Sequence, residues 1–115
     1  MPTVIQTDKI GDDGQVIHPL FGGATPTKYA VALTSADTEY SQALPANTKK
    51  FRVHLRDFAT FRLAYETGKV ATPTGAYETI PAGSEKYEDE VILASLTLYL
   101  ASPVATKTAE IEAWV

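Results

Sequence analysis

Five stretches of the chain alternate apolar and polar residues, and no window sustains a helical period with caps at both ends. Tyr29, Val31 and Leu33 alternate with Lys28, Ala30 and Ala32. Phe51, Val53 and Leu55 alternate with Arg52, His54 and Arg56, and Phe61, Leu63 and Tyr65 with Arg62, Ala64 and Glu66. Leu96, Leu98 and Leu100 interleave with Thr97, Tyr99 and Ala101, and Ala109, Ile111 and Ala113 with Thr108, Glu110 and Glu112. Successive side chains of a strand point to opposite faces, so each stretch predicts a half-buried strand. Weaker signals near Tyr40 and Tyr77 bring the expectation to seven or eight strands. Turns separate them throughout, and this spacing predicts an all-β fold, a single small β-sandwich of jelly-roll or Greek-key type.

The first 26 residues break the pattern. Gly11, Gly14, Pro19, Gly22, Gly23 and Pro26 interrupt any regular element, and Asp12-Asp13-Gly14 reads as a turn. Yet Ile10, Val16, Ile17, Leu20 and Phe21 make the segment too apolar for a solvated tail. The division expected is an extended N-terminal arm over 1–26 and a sandwich domain over 27–115. Those five apolar residues are the candidate partner-binding positions of the arm, which is expected to lie in a groove of its own domain or, by preference, of a neighbouring molecule.

An internal echo supports a sandwich built from related parts. Leu44-Pro45-Ala46-Asn47-Thr48-Lys49-Lys50-Phe51 is matched by Ile80-Pro81-Ala82-Gly83-Ser84-Glu85-Lys86-Tyr87. Each copy predicts a turn with proline presetting the first corner and Asn47 or Gly83 accepting positive φ at the second.

A length of 115 residues sets one domain, long enough to bury a core without staples. With no cysteine, a disulfide framework and thiol chemistry are excluded, and two histidines leave little for an imidazole metal site. A net charge of −4 argues against nucleic acid as a partner. The apolar run Val91–Ala101 is too short to cross a bilayer. The first eight residues lack the basic start and apolar core of a signal peptide, so a soluble protein made inside the cell is expected.

Candidate chemistry adds little. No nucleophile elbow, phosphate-binding loop, zinc-protease helix or dinucleotide fingerprint is present. Asp8, Asp12 and Asp13 with Gly14 lack the alternating spacing and terminal glutamate of a calcium loop. Glu110 and Glu112 share one face of the last strand about 7 Å apart, a carboxylate pair of the kind glycosidases use and also what any solvent-facing strand shows. Between Lys49 and Arg62 basic and aromatic residues interleave, but alternation turns Phe51 away from Arg52, His54 and Arg56, which removes the stacking platform that single-strand binding needs. No catalytic, cofactor-binding or metal-ligating residue is expected, and no cofactor.

Charge is distributed in blocks. Residues 49–62 hold five cations against Asp57, and residues 76–90 hold five carboxylates against Lys86. Such blocks can pair within the chain or across a symmetric contact. The expectation set here is intersubunit pairing of Arg52, Arg56 and Arg62 with Glu85, Glu88, Asp89 and Glu90.

From about Leu44 to Trp114 the chain resembles small virion proteins of tailed bacteriophages and prophages. The residues that carry the likeness are Leu44–Phe51, Ala64-Tyr65-Glu66-Thr67-Gly68-Lys69-Val70-Ala71-Thr72-Pro73-Thr74, Tyr77–Gly83, Leu96–Ser102 and Ala109–Trp114. The resemblance implies a non-enzymatic virion structural protein made in the host cytoplasm. The role expected within that class is a capsid decoration (cement) protein, bound to the outer capsid across capsomer boundaries. Its partners would be the major capsid protein and itself, as a homotrimer or a dimer, with neither nucleic acid nor membrane. The alternatives are a neck or tail structural protein and a carbohydrate-binding sandwich offering Tyr29, Tyr65 or Tyr99 to a sugar. A hydrolase built on Glu110 and Glu112 ranks last.

Overall fold

The structure is a computed structural model that describes residues 25–115. The arm positions Ile10, Val16, Ile17, Leu20 and Phe21 lie outside the described residues. Eight strands follow in order: β1 (Thr27–Leu33), β2 (Tyr40–Ala43), β3 (Lys50–Leu55), β4 (Phe61–Ala64), β5 (Glu78–Ile80), β6 (Lys86–Glu88), β7 (Thr97–Ala101) and β8 (Lys107–Trp114). No helix is found among the described residues. The alternating stretches became β1, β3, β4, β7 and β8. The strand that alternation did not place is β6, three residues long on a sheet edge.

The strands form two four-stranded antiparallel sheets in a sandwich-like arrangement. The first sheet runs β1-β8-β3-β6 and the second β2-β7-β4-β5. Pairing is nested: β1 pairs with β8, β2 with β7, β3 with β6 and β4 with β5, and the pairs β3–β8 and β4–β7 then join these couples into sheets. The inward faces supply one core, in which Leu33, Phe51, Val53, Leu55, Phe61, Leu63, Leu98, Leu100 and Ile111 are fully buried. Burying such a side chain contributes about 1.5–3 kcal/mol. Alternation in β3 and β8 is therefore enforced by the core itself, since a one-residue slip would expose every apolar side chain of the strand.

The two echoed segments are the corners that carry the chain from the second sheet to the first, β2 to β3 and β5 to β6. Leu44 and Ile80 are the buried aliphatic residues that lead into them. In both, the amide of the fourth residue donates to the proline carbonyl, Thr48 to Pro45 at 3.2 Å and Ser84 to Pro81 at 3.1 Å. Proline thus opens the turn instead of occupying its first central corner, which corrects the sequence expectation by one position. Asn47 (φ 61°) and Gly83 (φ 83°) take the left-handed backbone as expected.

Alternation fails at β4. Phe61, Arg62, Leu63 and Ala64 are all buried, because the segment 65–77 that follows folds back over the outer face of the second sheet. Val70 from that segment joins Ala64 and Ala101 in a second small cluster, flanked by Tyr77 and Tyr99. Tyr65, expected in the core, leaves the strand and is 44% exposed.

Candidate functional site

The outer face of the first sheet gathers most of the charged residues that the sequence singled out. Register sets Lys28, Glu112 and Arg52 side by side across β1, β8 and β3, and Ala30, Glu110 and His54 in the next row. Glu112 is hydrogen-bonded to Lys28 and accepts from Arg52 Nε at 2.6 Å. Glu110 accepts from Arg56 Nε at 2.7 Å. Cross-strand opposite charges of this kind stabilise a sheet by a few tenths of a kcal/mol each, roughly 0.2–1 kcal/mol. The small Ala30 between the longer side chains leaves a shallow polar cleft lined by Lys28, Arg52, Arg56, Glu110 and Glu112.

Its electrostatics do not suit acid–base work. The hydrogen bond from Lys28 holds the Glu112 carboxyl below the ordinary glutamate value; partial burial opposes this, and the charge of Arg52 reinforces it. A general acid needs the opposite shift. Both members of the carboxylate pair are also occupied by guanidinium groups. Among the described residues no group of three or more His, Cys, Asp or Glu side chains could hold a metal ion.

His54 is not the open surface histidine that alternation suggests. Its ring stacks on Phe58 with centroids 4.4 Å apart and planes within 6°, and its Nδ1 lies 2.9 Å from the Leu55 carbonyl. Phe58 itself has left-handed backbone (φ 58°), a costly state for a bulky residue, roughly 1–3 kcal/mol. Its carbonyl accepts from Gly83 N, and its amide donates to Leu55 O, each at 2.8 Å.

The two charge blocks do not stay together as blocks. Arg52 reaches Glu85 at 3.8 Å but bonds more closely to Glu112, and Arg56 pairs with Glu110, which lies outside the acidic block. Arg62 sits in the other sheet, 8% exposed, with Nε donating to the Val70 carbonyl at 2.7 Å and a terminal nitrogen to Asp37 at 2.6 Å. That burial takes Arg62 out of the set of surface cations. Glu88 turns inward at the sandwich edge and bonds to Lys86 at 3.0 Å, and Lys86 also bonds to Glu78 at 3.1 Å. Burial works against the charged form of Lys86, but hydrogen bonds to Glu88 and Glu78 outweigh it and raise its pKa above the ordinary lysine value. Inward charges on short edge strands also discourage edge-to-edge aggregation. Asp89 and Glu90 follow β6 on the exposed surface.

One surface was missed by sequence reasoning. Phe51, Tyr65, Val91, Ile92, Leu93 and Leu96 line a groove of about 300 Å³ whose polar margin includes Glu88 and Glu90. The signal available was Val91-Ile92-Leu93, three consecutive apolar residues directly after three acids, which no alternating strand can bury on one face.

No family model and no curated protein matches the chain. Among solved structures, the solution NMR structure of a de novo designed double-stranded β-helix is similar over 78% of this chain and 97% of the designed one, with 12% identity and a TM-score of 0.46.

Proposed function

We infer that the protein is a non-enzymatic structural component of a tailed-phage virion, a decoration protein that clamps the outer capsid across capsomer boundaries. The observation that carries this reading is the nested pairing of β1 with β8, β2 with β7, β3 with β6 and β4 with β5. We read this nested pairing across two sheets as a jelly-roll arrangement, a type of fold used by viral capsid and lectin domains. Fold alone does not specify role; the resemblance of residues 44–114 to small virion proteins supplies the direction. The engaged state of Glu110 and Glu112 supports a non-catalytic part. In this reading the segment bearing Ile10, Val16, Ile17, Leu20 and Phe21 leads into the edge strand β1 and anchors to the major capsid protein. Trimeric attachment multiplies weak contacts into tight binding.

Gold-labelled antibody against the full chain, applied to particles from the phage or induced prophage that encodes it, tests the assignment. Label spread over the whole head is expected. Label confined to one vertex or the tail would move the protein to the neck or tail. Particles without label, together with signal on a glycan array, would favour the carbohydrate-binding alternative, for which the exposed ring of Tyr65 is the observation in favour.

A further inference from the structure

The groove beside β6 presents apolar side chains that water ought not to keep. Ile92 is 93% exposed and Leu93 57% exposed, next to the half-exposed ring of Tyr65. They do not sit on a slack loop. Val91 N donates to Lys49 O, Asn47 N to Ala94 O and Leu44 N to Leu96 O, each at 2.9 Å, so segment 91–96 is stitched along the β2–β3 corner. Below it, Tyr65 packs edge-on against the buried Phe51 with centroids 6.5 Å apart. The apolar ledge is therefore fixed before anything binds, which reduces the ordering cost of docking. A contiguous exposed apolar patch with a polar rim is the usual mark of an interaction surface.

The rim tells which partner fits. Glu88 already has Lys86, but Asp89 and Glu90 make no ion pair among the described residues. Glu90 lines the groove and the exposed Asp89 precedes it in the chain, so this margin keeps a negative potential that an incoming cation would satisfy. This chain's own N-terminal segment is a poor match, since residues 1–24 carry Asp8, Asp12 and Asp13 against Lys9. A second copy offering the same acidic patch across a twofold axis would set like charges together.

We propose that the groove formed by Tyr65, Val91, Ile92, Leu93 and Leu96 docks an extended segment of another protein, apolar at alternate positions and flanked by lysine or arginine that pairs with Asp89 and Glu90. Alternate apolar side chains enter the groove, and the flanking cations fix register at its margin. This inference does not rest on the virion assignment, and particle labelling leaves it untouched.

The test is a titration of the full, isotope-labelled chain with the peptide Lys-Lys-Leu-Ser-Phe-Thr-Leu-Lys-Lys, followed by amide NMR. Two companion peptides replace every lysine by glutamate, or every leucine and phenylalanine by serine. Saturable shifts at Tyr65 and residues 88–96 are expected, with binding at least about tenfold weaker for each companion. Ile92→Ser with Leu93→Ser should abolish the shifts, and Asp89→Asn with Glu90→Gln should weaken binding about tenfold. Both pairs are on the surface, so dispersed spectra confirm folding. Equal binding of the glutamate peptide, or shifts centred elsewhere, would overturn the proposal. So would concentration-dependent self-association of the full chain that Leu93→Ser removes, which would give the patch to a second copy.

Discussion

The outer faces of the two sheets are built from the same alternating pattern and meet opposite fates. On the first sheet, Lys28, Arg52, Arg56, Glu110 and Glu112 stay at the surface and pair across strands. On the second, Arg62, Ala64 and Ala101 are covered by residues 65–77, and Arg62 becomes a buried fastener between the Val70 carbonyl and Asp37 in the β1–β2 connection. Tyr77 adds its ring 5.6 Å from the guanidinium carbon. Arginine is thus decorative on one face and structural on the other. What separates the two cases is the chain that follows, not the strand.

The contrast makes a graded set of expectations. Arg62→Ala leaves a buried carbonyl unpaired and opens the small cluster under the 65–77 segment. It should cost about 2–3 kcal/mol in urea unfolding. Arg62→Lys should recover only part of that, because an ammonium cannot span both partners with a planar fork. Next comes Gly75→Ala. A Cβ there would collide with the Lys69 carbonyl inside the covering segment, and the loss should be about 1–3 kcal/mol. Amide exchange should speed up first across residues 65–77, leaving β3 and β8 protected. Arg56→Ala, on the open face, should cost less than about 1 kcal/mol. That small loss should fade in high salt, whereas the Arg62 effect should persist.

The smallest expected effect is a pH dependence. Because the folded-state pKa of Glu112 is depressed, its ion pairs contribute stability above the ordinary glutamate value of 4.5 and lose it as pH falls through the lower folded value. Lys28→Met should flatten the acid limb of a melting-temperature profile there. An unchanged acid limb would show that the Lys28–Glu112 pair has no net effect on that face.

Local pattern made much of this architecture legible. Strict alternation found β3 and β8, since both are central strands with one face on the core and one in water. The Pro-Ala corners were readable because a left-handed residue and a buried aliphatic leave marks in sequence. Arg62 and Ala64 were misassigned because a strand covered on both faces has no solvent-facing half, and Tyr65 because β4 ends one residue before it. Nothing within β4 reports that Val70, from the segment that follows, will sit upon it. The pairing of Arg52 and Arg56 with Glu112 and Glu110 escaped charge-block reasoning because registry, not block charge, decides which side chains meet. The Ile92–Leu93 ledge was concealed inside a run whose second half, Leu98 and Leu100, is true core.

The nested pairing has a consequence for how such a chain comes into being. Every strand pair joins a member of β1–β4 to a member of β5–β8, and in both sheets the two sets alternate strictly. Among the described residues neither half contains a strand pair of its own. A nascent chain that has emerged only through β4 holds no sheet to grow on and must wait for its complement, so folding is dominated by contacts distant in sequence and is correspondingly slow. For the same reason a backbone cut within 65–77 would divide the protein into two interdigitating fragments, each unable to fold alone and each a template for the other.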